Sequence, residues 1–130
     1  MSFHFYLYRA APGLPPINRW EQMQAEPLGS AAEIMQRLST LYPGLRWSQI
    51  AGVWMGSGRE PQARHLDILV REEEPGLCRF ITFNKAAPSV MRRVLEAFGL
   101  NYVCAPEAGE LVDVYAYTDE DQYYAKKAWP

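Results

Sequence analysis

Phe3, Phe5 and Leu7 alternate with His4, Tyr6 and Tyr8. A period of two with apolar groups on both sides predicts a strand in the interior of a sheet. Pro12, Gly13, Pro15 and Pro16 make residues 10–16 a loop. Residues 17–27 follow neither period, although Trp20 is suited to anchor a short helical turn. The pattern changes at Ser30-Ala31-Ala32-Glu33. A hydroxyl with a carboxylate three residues on is a capping box, in which each side chain satisfies a free backbone N–H. Ile34, Met35, Leu38, Leu41 and Tyr42 then recur at helical spacing until Pro43-Gly44 stops the helix.

Ile50 to Gly56 predicts a strand carrying Val53 and Trp54, and Gly56-Ser57-Gly58 through Pro61 predicts a flexible loop. From His65 the chain alternates again: Leu66, Ile68 and Val70 face one way, Asp67, Leu69 and Arg71 the other. Glu72-Glu73-Glu74-Pro75-Gly76 predicts a turn, and Leu77 to Phe83 the returning strand of a hairpin. Pro88 opens a second helix at a position that tolerates it. Its apolar stripe is Val90, Met91, Val94, Leu95 and Phe98, with Arg92, Arg93 and Glu96 on the opposite face. Gly99 ends it. Leu100 to Cys104 predicts a short strand and Pro106 to Gly109 a turn. Val112, Val114 and Ala116 alternate with Asp113, Tyr115 and Tyr117, which predicts a last strand. Thr118, with Asp121 three residues on and Lys126 and Lys127 at the far end, predicts a short C-terminal helix aligned with its dipole. The order β-α-β-β-β-α-β-β-α predicts an α+β fold: a single-layer, mostly antiparallel sheet of five to six strands with two main helices packed on it.

The chain has 130 residues, which predicts one domain over 1–130. That size buries roughly two-thirds of the surface of the unfolded chain, so no disulfide or metal staple is needed. A composition of 48% hydrophobic and 22% charged residues fits a soluble globule. The net charge of −2 provides no basic field for nucleic acid. The N-terminal segment lacks the basic and apolar regions of a signal peptide, and no apolar run reaches the length of a membrane span. The expectation is a cytoplasmic protein in which Cys78 and Cys104 are reduced and buried.

Candidate chemistry is sparse. His65 and Asp67 are two apart on a predicted strand, so they share a face and form a candidate acid–base pair; the alternative is an exposed polar strand face. His4 suits a packed strand position. Neither cysteine has a second cysteine or histidine near it in sequence, so no metal or cofactor is expected. The glycines at 52, 56 and 58 match neither a phosphate loop nor a nucleophile elbow. Glu72 to Glu74 read as solvated turn charge, and Arg92 and Arg93 as a solvated helix face.

Residues 105–130 stand apart. Six acids face two lysines there, a net −4, whereas residues 1–104 sum to +2. Tyr115, Tyr117, Tyr123, Tyr124 and Trp129 lie in the same segment. Acid beside aromatics suits the grip on a basic protein partner. Asp119, Glu120 and Asp121 are accounted for by starting a helix. The remaining group, Glu107, Glu110, Asp113, Tyr115 and Tyr117, is the candidate partner-binding site.

A set of signposts runs along nearly the whole chain. These are the strand Phe-His-Phe-Tyr-Leu-Tyr-Arg from residue 3, Pro27-Leu28-Gly29-Ser30 opening the first helix, and Tyr42-Pro43-Gly44-Leu45-Arg46-Trp47 after it. Ala87-Pro88 leads the second helix, Phe98-Gly99-Leu100-Asn101-Tyr102 ends it, and Pro106-Glu107-Ala108-Gly109-Glu110-Leu111 closes the series. The pattern resembles small bacterial immunity proteins of polymorphic-toxin or type VI secretion systems. It departs from them at Cys104-Ala105-Pro106, where members often carry an aspartate before the proline. The resemblance implies a cytoplasmic, non-enzymatic protein that binds one cognate toxin and blocks its active site. An effector adaptor or chaperone is the alternative, and a small enzyme using His65 and Asp67 a further one. Monomer and homodimer both remain open.

Overall fold

The computed structural model describes residues 4–11, 25–59, 65–84, 86–105 and 110–118, excepting the side chains of Arg59, His65 and Glu110. The predicted loop over 12–16, Trp20, the turn with Glu107, the C-terminal helix and Trp129 lie outside the described residues.

The fold is α+β, with an open antiparallel sheet and two helices. In chain order the elements are β1 (His4–Tyr8), α1 (Ala31–Leu41), β2 (Arg46–Ile50), β3 (Val53–Arg59), β4 (His65–Arg71), β5 (Ile81–Asn84), α2 (Pro88–Phe98), β6 (Tyr102–Ala105) and β7 (Glu110–Leu111), then a 3-10 turn (Val114–Ala116). The sheet order is β2-β3-β4-β5-β1-β6-β7. Six strands have four residues or more, and β7 adds a two-residue rung at the edge.

β1 is interior, as its two-sided apolar pattern predicts: Phe5 pairs with Phe83 of β5, and Leu7 with Val103 of β6. On one face, Phe5, Leu7, Leu66, Ile68, Val70, Ile81, Phe83 and Val103 form a single buried cluster with Ile34 and Leu38 of α1 and with Val90, Met91, Val94, Leu95 and Phe98 of α2. Burying each such side chain contributes about 1.5–3 kcal/mol. On the other face Tyr8, Phe80 and Cys104 form a smaller cluster with Ala10 and Ala25. There the Tyr8 ring stacks on Tyr102 with centroids 5.3 Å apart.

Both helix starts follow the sequence. Ser30 Oγ accepts from the Glu33 N–H at 3.2 Å, and Glu33 accepts from the Ser30 N–H at 3.3 Å. Pro88 occupies the first turn of α2, and Gly99 ends it at φ 65°.

Three expectations are corrected. Gly56-Ser57-Gly58 is the middle of β3, and not a loop. The Trp47 ring of β2 lies where a Cβ on Gly56 would stand, 2.8 Å from its nearest atom, so only glycine fits beneath it. β2 and β3 are joined by the tight turn Ala51-Gly52 inside the stretch that reads as one strand. The last described strand ends at Leu111, before the strand predicted from Val112 to Tyr117, and that stretch turns into the 3-10 segment instead. Asp113, Tyr115 and Tyr117 are therefore not on one strand face.

The acids of the β4–β5 connection are also more than solvated charge. Glu72 accepts from the N–H of Ala31 at 3.0 Å and of Gly76 at 3.1 Å. Glu73 accepts from the Arg79 N–H at 2.6 Å, and Glu74 pairs with the Arg79 guanidinium at 3.3 Å. Arg79 is buried and donates to the Ala25 carbonyl at 2.7 Å.

Candidate functional site

Gly99 turns the chain out of α2 toward β6, and Asn101 fixes the path. Its amide donates to the Ala10 carbonyl at 2.9 Å and accepts from the Ala10 N–H at 3.1 Å. A side chain thus supplies what a strand neighbour would. β6 then pairs with β7, Cys104 opposite Leu111. One more rung follows, the Val112 N–H donating to the Val103 carbonyl at 2.8 Å.

Beyond that rung the backbone curls. Asp113 accepts from the Tyr115 N–H at 3.0 Å and so caps the 3-10 turn. Val114 is buried, and Arg92 of α2 donates to the carbonyls of Val114 and Tyr117, both at 2.8 Å. This corrects the reading of Arg92 as part of a solvated helix face. A charge-assisted donor bonding two carbonyls at once pins the segment to the helix.

The result is a cleft of about 300 Å³, with Leu95, Asn101 and Val103 among its lining residues and Leu111, Asp113 and Tyr115 along the later segment. Tyr115 is 61% exposed and Leu111 38%, and with Ile50 they are the large hydrophobic residues exposed among those described. Asp113 is exposed beside them.

Of the five candidate residues, Asp113 and Tyr115 line this cleft. Tyr117 is partly buried and packs against the core. Glu107 lies outside the described residues, and Glu110 is placed by its backbone alone, in β7. Leu111, which lines the cleft together with Leu95, is not among the candidate site residues, although an apolar residue directly after the acid of a short edge strand is a visible signal.

 A further cleft among the described residues, of about 190 Å³, is lined by Tyr42, Pro43, Leu45 and Arg93 among others.

Asp67 lines neither cleft. It sits on the sheet face away from the helices and accepts from the Ser57 hydroxyl at 3.0 Å. The backbone places His65 on the same face of β4, opposite Arg59. Among the described residues no group of three or more His, Cys, Asp or Glu is placed to hold a metal ion. Cys78 and Cys104 are free thiols, both buried. Burial first, then the charges of Glu73 and Glu72, push the Cys78 thiol up to about 12. No helix among the described residues is long and apolar enough to cross a membrane.

Comparison with protein-family models, with curated proteins and with solved structures finds no match. The geometry of the cleft is therefore what bears on function.

Proposed function

We propose that the chain is an immunity-type protein that binds one cognate secreted toxin in the cytoplasm, of the kind delivered by type VI secretion, and occludes its active site. The contact is the cleft of Leu111, Asp113 and Tyr115. The observation that carries this reading is that two of the three large hydrophobics exposed among the described residues, Leu111 and Tyr115, flank one cleft beside an exposed carboxylate. Tyrosine is a preferred anchor of protein interfaces, since it covers a large area with little loss of side-chain freedom. A carboxylate next to it favours a partner that presents lysine or arginine. The resemblance to immunity proteins supplies the class of that partner.

The test is co-expression with any secreted toxin found encoded beside the gene, followed by calorimetry on the purified pair. The expected result is a stable complex and protection from toxicity. Tyr115→Ala should weaken the complex about 10- to 100-fold, the range of an interface anchor. Asp113→Asn keeps an oxygen for the Tyr115 N–H and removes the charge, so it should weaken binding with the fold intact. A native protein that gives no complex and no protection would sink the reading. Full affinity in both variants would move the contact elsewhere.

A further inference from the structure

The third large hydrophobic exposed among the described residues, Ile50, lies at the opposite edge of the sheet. β2 ends the sheet there, no described residue pairs with its outer side, and four of its five residues are exposed. Edge strands are commonly protected from other chains by lysine, proline, inward charge or a bulge. Arg46-Trp47-Ser48-Gln49-Ile50 has one arginine at its end and none of the other devices.

The hairpin turn fixes which backbone groups this edge offers. Ala51 and Gly52 both have positive φ, 51° and 81°, the signature of a two-residue type I′ turn. Such a turn makes its flanking residues, Ile50 and Val53, a mutually hydrogen-bonded pair. Bonded and non-bonded pairs alternate from there. With the register Ser48 to Met55 and Arg46 to Ser57, Ser48 and Arg46 turn their backbone groups toward β3. Trp47 and Gln49 turn theirs outward.

We propose that β2 pairs antiparallel with β2 of a second copy of this chain, about a two-fold axis at Ser48. The occupant follows from the strand's self-complementarity. This register sets Trp47 opposite the second copy's Gln49, and Gln49 opposite its Trp47. All four residues have outward donors and acceptors, so four N–H···O bonds close. It also sets Arg46 opposite Ile50, so the two arginines never face each other and each aliphatic stem covers an exposed isoleucine. A net charge of −2 per chain adds little repulsion between copies. Because β2 and β7 end the sheet on opposite sides, the pairing leaves both Leu111–Tyr115 clefts open.

The test is the mass of the intact protein by sedimentation and light scattering, at concentrations up to about 1 mM. The expected result is a mass that doubles as concentration rises. Gln49→Pro removes an outward N–H without touching the ladder to β3 and should leave a monomer with native circular dichroism. Ile50→Lys sets lysine against Arg46 of the second copy and should do the same with no change of backbone. The axis places the two Ser48 residues directly opposite as a non-bonded pair, with Cα atoms about 4.5 Å apart, within disulfide reach. Ser48→Cys should therefore oxidise to a covalent dimer, and Gln49→Cys should not. Cys78 and Cys104 are buried and stay silent. A native chain that remains monomeric throughout would overturn the proposal. So would dimers that survive both edge substitutions, or cross-linking that is no faster at 48 than at 49.

Discussion

Ala51 is the one described residue other than glycine with a positive φ. An L-residue with a Cβ loses about 1–2 kcal/mol in that region, and the first position of a type I′ turn favours asparagine. Ala51→Asn should therefore raise stability by about 0.5–1 kcal/mol, read as a higher urea midpoint at unchanged slope. Glycine would relieve the same strain but free the unfolded chain by a similar amount, so Ala51→Gly should come out near neutral. The turn is hard to read from sequence because alanine hides it. Gly56 misleads in the opposite direction. It reads as loop, yet it is a strand residue whose missing side chain makes room for Trp47, whose indole N–H reaches Ser39 Oγ at 2.9 Å. A glycine's reason can lie in a ring nine residues away, which no local pattern reveals.

At the scale of elements, the β4–β5 connection and the last segment show side chains competing with the ladder. Glu72 is held below the usual carboxylate range by the N–H groups of Ala31 and then Gly76. The stability it contributes is present above that range and is lost as pH falls from it through the lowered folded value. Glu73 is shifted the other way, raised chiefly by burial against the smaller help of the Arg79 N–H. Its folded form holds a proton more tightly than its unfolded form, so its ionisation costs stability above the raised value. Melting curves across pH should therefore separate the two. Glu72→Gln should lower the midpoint at neutral pH and converge with the native protein in acid. Glu73→Gln should raise it at neutral pH, with the gain fading as the native carboxyl protonates. The alternation is genuine in burial over 112–115, with Val112 and Val114 inside and Asp113 and Tyr115 outside, and fails at Ala116, which is exposed. It does not make a strand, because Asp113 takes the Tyr115 N–H and Arg92 takes two carbonyls that a neighbour would have bonded. The outward placement of Asp113 and Tyr115 was legible in the alternation. The partial burial of Tyr117 was not, since the turn that separates them depends on an arginine in another element.

For the whole molecule, the fold class and both helices follow from periodicity, caps and stops near the chain itself. The order of the strands does not, because pairing over tens of residues leaves no local trace. That order has a consequence for how the chain reaches its native state. β2, β3 and β4 form a meander of neighbours in sequence, whereas β1 is inserted between β5 and β6, with Phe5 matched to Phe83 and Leu7 to Val103. Short loops close early and long ones late. In pulse-labelled hydrogen exchange during refolding, the amides of β3 should gain protection before those of β1. The reverse order would show that the N-terminal strand nucleates the sheet. On the ribosome, β1 is made first and must wait unpaired until both of its neighbours have been synthesised. Its Phe5 and Leu7, now at the centre of the core, stay exposed in the newborn chain until β5 and β6 have emerged.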